Sequence, residues 1–218
     1  MIDISASLLS CNTAYLGETV LTLEKAGVDW IHLDIMDGHY VENFAFNPKN
    51  VEDLRKITTL PLEVHLEIFE PERYIPLFAQ KGADLIILQW ETCPHPLRTL
   101  KKIHAYGKKA GIALSPCGDV TPIEYCAPYL DYLLLMSVEP GFGGQEFEYS
   151  VLAKVYKART MFDRSGYTIP IGIDGGVNLD LLPLLKEAGI DRVIIGSQLF
   201  ISENIPEMVA EWKKRWKA

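Results

Sequence analysis

Positive charge is scarce in this chain. Lys and Arg number 21 against 29 Asp and Glu, for a net charge of −8. A general surface for nucleic acid or acidic membrane needs the opposite balance, so both partner classes are excluded. A small anion is not, because it needs only a local pocket. Cysteine is sparse as well. Cys11, Cys93, Cys117 and Cys126 include no Cys-x-x-Cys pair, and no charged n-region with an apolar h-region opens the chain. They read as free thiols in a reducing cytoplasm. No apolar run approaches the ~18–20 residues that span a bilayer. Linkers, low-complexity tracts and charge blocks are missing too. The sequence thus reads as one soluble, cytoplasmic domain covering residues 1–218.

What is present is a repeat. Short apolar, β-branched runs recur at Ile2–Leu9, Trp30–Met36, Leu62–Ile68, Leu85–Trp90, Ala110–Leu114, Tyr132–Met136, Ile169–Ile173 and Arg192–Ile195, each of strand length. Helix-like segments lie between them, at Leu16–Lys25, Pro71–Lys81, Pro96–Tyr106, Ser150–Asp163 and Leu179–Ala188. Several helical segments stop at a glycine, which suits a left-handed C-terminal cap. Spread over 218 residues, eight strand–helix units take about 27 residues each, near the minimum for a βα repeat. The expectation is a parallel α/β architecture closed as a (β/α)8 TIM barrel. A doubly wound open sheet is the alternative, but its Gly-rich first turn is absent from Ser7–Asn12.

Strand alternation then sorts the polar residues. His32, Asp34 and Met36 share one face of the second strand; Glu63, His65 and Glu67 share one face of the third; Asp174 follows Gly172 on the seventh; Ser7 follows Ser5 on the first. In a barrel the outward face packs on helices, so these sets point inward. Ser7, His32, Asp34, Met36, His65, Glu67 and Asp174 fall near strand C-termini, the end that carries active sites in this fold. Two histidines and two aspartates are ligand types for a borderline divalent metal; the same side chains could instead satisfy one another by hydrogen bonds. Glycines cluster on the loops after strands six, seven and eight, as Gly141, Gly143 and Gly144, then Gly175 and Gly176, then Gly196 before Ser197. Such loops can turn backbone N–H groups onto a phosphate, or they can be plain tight turns.

The runs His32-Leu33-Asp34-Ile35-Met36-Asp37-Gly38, Leu62–Leu66, Leu135–Gln145 and Asp174–Asn178 resemble the ribulose-phosphate 3-epimerase family, which also contains epimerases of hexulose 6-phosphates. The resemblance runs in order from Ser5 to about Phe200. It implies an isomerase that inverts C3 of a phosphorylated ketose, by default D-ribulose 5-phosphate to D-xylulose 5-phosphate, through two-base proton transfer and a metal-stabilised enediolate. It implies one divalent ion, zinc first, with iron, manganese or cobalt as alternatives, held by His32, Asp34, His65 and Asp174. Asp34 and Asp174 would be the acid/base pair. Ser7 would contact the substrate, Met36 and Met136 would line the reacting face, and Gly143, Gly144, Gly176, Gly196 and Ser197 would hold the phosphate; His65, Glu67, Gly141 and Gly175 are further candidate substrate-binding residues. It also implies a homo-oligomer, dimer or hexamer. The sequence departs from the family pattern at Glu67, where the family usually has Met, and at Gln89, where it often has His. Ser115 stands where the family has Asn before Pro116, and Ala6 stands before Ser7 where it has Pro. Two other readings compete: a phosphate-binding barrel lyase, against which no Lys occupies an inward strand position, and a non-catalytic sugar-phosphate-binding barrel.

Overall fold

A computed structural model describes residues 2–201 and 204–217; Met1 and Ala218, the ends of the expected domain, lie outside them. Eight strands, β1 (Asp3–Ser7), β2 (Trp30–Met36), β3 (Leu62–Glu67), β4 (Leu85–Gln89), β5 (Lys109–Leu114), β6 (Tyr132–Met136), β7 (Ile171–Asp174) and β8 (Arg192–Ile195), pair in sequence order. They close into a parallel barrel by β1–β8 pairing. The helices are α1 (Leu16–Ala26), α2 (Pro48–Arg55), α3 (Ile75–Lys81), α4 (Pro96–Ala105), α5 (Val151–Ser165), α6 (Leu182–Ala188), α7 (Ser197–Phe200) and α8 (Ile205–Lys217). None is long and apolar enough to cross a membrane. The TIM barrel expected from the repeat is the fold observed.

Local differences have local causes. The first strand stops at Ser7, because Leu8–Ser10 turn into a 3₁₀ segment capped by the Ser7 side chain, which accepts from the Leu9 N–H. α2 was not expected, yet its start is well marked: Pro48 opens it, and Asn47 and Asn50 form a reciprocal capping box. Between β5 and β6 a 3₁₀ segment, Thr121–Tyr129, takes the place of an α-helix; it contains Pro128, whose ring removes a backbone donor.

Two apolar cores result. The larger lies between the outer strand faces and the helices, with Ile31, Leu33, Val64, Leu66, Ile112 and Leu135 among its fully buried members. The smaller lies inside the barrel and comprises Leu85, Ile87, Ala113, Tyr132, Leu134, Met136 and Ile194. The interior is therefore divided. Strands β4 to β6 and β8 contribute most of its hydrocarbon; β1, β2, β3 and β7 contribute Ser5, Ser7, His32, Asp34, Glu63, His65, Glu67 and Asp174. At the barrel's N-terminal end, Arg192 of β8 stacks between the rings of Trp30 and Tyr132, 3.9 and 4.5 Å from their centroids, and meets Glu63 Oε2 at 2.5 Å. Gly172 makes room for this arrangement: a Cβ there would sit 1.7 Å from the Tyr132 hydroxyl.

Candidate active site

The site grows from the β2–β3 register. Asp34 lies directly opposite His65, and Met36 opposite Glu67. Two-residue alternation adds His32 to the same face. One ligand atom from each of His32, Asp34 and His65 falls within a 4.8 Å group. Asp34 Oδ1 lies 2.9 Å from His32 Nε2 and 3.4 Å from His65 Nδ1. Asp174 arrives from β7, its Oδ2 3.8 Å from the same His32 Nε2. Glu67 Oε1 lies 3.2 Å from His65 Nδ1. Both imidazoles are fully buried.

Each imidazole also has an outer partner. His32 Nδ1 lies 2.9 Å from Glu63 Oε1 and His65 Nε2 lies 2.8 Å from Gln89 Oε1. Glu63 is doubly anchored, accepting from Ser5 Oγ and from Arg192 Nη1, both at 2.5 Å. Burial would raise the Glu63 carboxyl, but Arg192 and the hydrogen bonds from His32 and Ser5 outweigh it and bring it down to about 2. Glu63 therefore stays ionised. It accepts the His32 Nδ1–H and so turns His32 Nε2 toward Asp34 Oδ1, 2.9 Å away.

The carboxylates differ sharply in proton affinity. For Asp34, burial is outweighed by the two histidines, which hold it well below the usual carboxylate range. For Asp174, burial dominates and pushes it up to about 7, with Asp34 and Glu63 adding repulsion. Burial pushes Glu67 up to about 8, again with Asp34 and Asp174 adding to it. Both histidines lie above their ordinary value despite burial: Asp34 and Glu63 raise His32, while Glu67 and Asp34 raise His65.

Above this cluster opens a cavity of about 430 Å3. Ser7, Asp34, Met36, Glu67, Met136 and Asp174 form its inner wall, and Gly141, Gly143, Gly144, Gly175, Gly176, Gly196 and Ser197 line its loop side. His32 and His65 lie beneath the floor and do not line it. Ser7 Oγ donates to Asp34 Oδ2 at 3.1 Å. Ser137 ties down the β7 loop: its backbone N–H donates to the Asp174 carbonyl at 2.7 Å and its hydroxyl to the Gly175 carbonyl at 2.6 Å. Gly176 (φ +60°) packs so closely on the β6 loop that a Cβ would lie 2.5 Å from the Phe147 nitrogen. Sequence reasoning overlooked Ser10, Asn178 and Gln198, which also line the cavity. Ser10 carried a signal, since it follows an inward Ser at a strand end.

Among the described residues, no Lys or Arg lines the cavity, whereas Asp34, Glu67, Asp174, Glu139 and Glu146 do. Three of these carboxylates converge on two imidazoles. His65 Nδ1 and Glu67 Oε2 are buried without a hydrogen-bond partner. Carboxylates gathered at a buried site with no Lys or Arg in the cavity lining suit a cation. A mixed imidazole and carboxylate set fits a borderline divalent metal.

The profile of the Ribulose-phosphate 3 epimerase family matches residues 3–200. Ribulose-phosphate 3-epimerase of Bacillus subtilis is 44% identical over 212 residues, covering 97% of this chain and 98% of that protein. The Synechocystis enzyme of the same name is 41% identical over 96% of this chain and 92% of its own length. The chloroplastic ribulose-5-phosphate-3-epimerase of Arabidopsis thaliana is 41% identical over 95% of this chain and 75% of its own length. Among solved structures, KGPDC from Streptococcus mutans superimposes with a TM-score of 0.76 at 16% identity, over 100% of this chain and 98% of that one. A 3-hexulose-6-phosphate synthase does so with a TM-score of 0.73 at 16% identity, over 98% and 99%. These distant structures share the fold. The full-length identity and the profile match go further: this chain belongs to the ribulose-phosphate 3-epimerase family.

Proposed function

We propose that this chain is a ribulose-phosphate 3-epimerase, an isomerase that interconverts D-ribulose 5-phosphate and D-xylulose 5-phosphate by inverting C3. The observation that carries the reading is the pair Asp34 and Asp174. They come from β2 and β7 and both face the cavity; in the metal-free cluster the histidines lower Asp34 while burial raises Asp174. Inversion at carbon needs a proton removed from one face and another delivered to the opposite face, so it needs two groups poised differently.

His32, Asp34, His65 and Asp174 would hold a divalent metal, with zinc the best match to that donor set and iron, manganese or cobalt also compatible. Bound there, the metal supplies Lewis-acid polarisation of the C2 carbonyl, which acidifies the neighbouring C3–H. Asp34 takes the C3 proton in one direction, and Asp174 delivers its own to the other face; the reverse direction exchanges their roles. Ser7, hydrogen-bonded to Asp34, keeps that carboxylate aimed. Met36 and Met136 wall the reacting carbons with hydrocarbon and sulfur and keep water from the planar intermediate. Backbone N–H groups around Gly143, Gly144, Gly176 and Gly196, with Ser197, hold the phosphate in place of basic side chains. Glu67 completes the sugar-facing wall, with His65 behind it as a ligand. Exposed rings on the loops after β2, β3 and β6, Phe44, Phe69 and Phe142, support a homo-oligomer, and four free cysteines support a reducing, cytoplasmic setting.

The deciding assay is deuterium wash-in at C3 by metal-replete protein, run separately on pentulose 5-phosphates and hexulose 6-phosphates. The expected result is exchange with D-ribulose 5-phosphate. Exchange with hexulose phosphates alone would move the substrate to that class. No exchange with any of them would overturn the epimerase reading.

A further inference from the structure

A second polar network stands beside the site, on β4 and the loops after β4 and β5. We propose that Gln89 is a positioning residue that builds one half of the metal site by locking His65 with its proton on Nε2 and its lone pair on Nδ1. This deepens the proposed function and rests on its metal reading.

The inference follows from which way round the Gln89 amide must lie. Its two ends have the same shape, so only the partners can decide. Gln89 Nε2 donates to Glu91 Oε2 at 2.5 Å and to Ser115 Oγ at 3.0 Å. Glu91 is itself held, its Oε1 accepting the Ser115 backbone N–H at 3.0 Å. A carboxylate cannot donate, so turning the amide over would set two acceptors against each other. Gln89 Oε1 must then face His65 Nε2, as it does at 2.8 Å. A carbonyl oxygen only accepts, so the ring proton sits on Nε2. The lone pair of the neutral ring sits on Nδ1, the buried atom left without a partner, which faces Asp34 Oδ1 and Glu67 Oε1 at 3.4 and 3.2 Å.

The far end of the network is anchored in the barrel's outer layer. The Ser115 carbonyl accepts from Lys154 Nζ of α5 at 2.7 Å, and the Ser115 hydroxyl lies 3.2 Å from the Tyr40 hydroxyl. Gln89 itself is fully buried, so water cannot replace its contacts. The two imidazoles are thus backed unequally: His32 by an ionised carboxylate, His65 by a neutral amide whose orientation is dictated by a carboxylate one step farther out.

Two variants and two readouts test this. Gln89→Met keeps the length and removes both ends of the amide. Its dissociation constant for zinc or manganese, measured on purified protein, is expected to weaken about 10- to 100-fold. Gln89→Glu combined with Glu91→Gln moves the charge inward and keeps the hydrogen-bond order, because the new carboxylate accepts from His65 Nε2–H and from the new amide. It is expected to retain metal binding and the His65 tautomer. The tautomer is read directly by nitrogen-15 NMR of the imidazoles, in zinc-loaded protein and in metal-free protein at alkaline pH. Wild-type spectra with the His65 proton on Nδ1 would overturn the proposal even if every variant misfolded. So would wild-type metal affinity in Gln89→Met, or loss of affinity in a folded double variant. If wild-type protein bound no divalent ion, the metal reading would fail, while the metal-free NMR would still decide what Gln89 does.

Discussion

Without a bound metal ion, rising pH should be a destabilising force, because the buried cluster contains several groups that favour their protonated forms. Asp174 is pushed from an ordinary 3.8 up to about 7. Its folded pKa lies above its unfolded one, so the native state binds more protons across that interval and stability falls as pH rises through it. At about 1.4 kcal/mol per pH unit, the gap comes to about 4 kcal/mol. Glu67, raised from 4.5 to about 8, has the same sign over a slightly higher window. The raised histidines extend the loss further, from their ordinary 6.5 upward. These groups share one another's charge, so about 4 kcal/mol is a sounder total than the sum. Asp34 and Glu63, both lowered, act oppositely, and their contribution is lost as pH falls below about 4. Metal-free protein is therefore expected to be most stable near about pH 4 and to lose about 8–16 °C of Tm by about pH 8, taking 2–4 °C per kcal/mol for a chain of this size. A divalent ion competes with protons for the same atoms. Its stabilisation, about 2.7 kcal/mol at a hundredfold excess over Kd, should grow across the same range. Thermal unfolding followed by circular dichroism, with chelator and then with zinc or manganese, tests both limbs. A metal-free Tm that holds level or climbs from about pH 5 to 8, or a metal increment that shrinks, would refute the reasoning.

Three further outcomes are expected. Asp174→Asn should lower kcat for C3 epimerisation by about 100- to 10,000-fold with an unchanged far-ultraviolet spectrum; near wild-type turnover would remove Asp174 from the proton-transfer pair. Gly176→Ala must force its Cβ, 2.5 Å from the Phe147 nitrogen at φ +60°, into the β6 loop. It should raise KM for the phosphorylated sugar, at a cost of about 1–3 kcal/mol in stability; an unaltered KM would separate this turn from substrate binding. Arg192→Met leaves Glu63 buried without its cation and should destabilise the fold by about 3–5 kcal/mol in urea titrations, far from the cavity and despite keeping the hydrocarbon stem.

How far the site could be read in advance depended on distance along the chain. The inward faces of β2, β3 and β7 follow from two-residue alternation, a strictly local property, so the convergence of His32, Asp34, His65 and Asp174 was foreseeable once a barrel was assumed. The glycine loops were equally visible and do line the cavity. The supports of these residues were not. Glu63 shares a face with His65, but nothing near it announces Arg192, which reaches it from β8 across 129 residues. Gln89 stood out as a departure from a family pattern, while its partners Glu91 and Ser115 lie on different loops, and only the β4–β5 pairing brings them together. α2 and the 3₁₀ segment before β6 escaped for a simpler reason: the first is mostly polar, burying only Val51 and Leu54, and the second has Pro128 in its path.

The divided barrel interior has a consequence for how such a protein can change. Leu85, Ile87, Ala113 and Leu134 carry no polar side-chain atoms, so exchanges that conserve volume there leave no hydrogen-bond partner stranded. On the opposite arc each polar side chain answers to another: Ser5 to Glu63, Glu63 to Arg192 and His32, His65 to Gln89. A single replacement on that arc strands a neighbour, so substitutions there must come in sets. One half of the ring can drift residue by residue, while the other must move by coordinated steps. New substrates are therefore more accessible through the loops above the ring than through its polar arc.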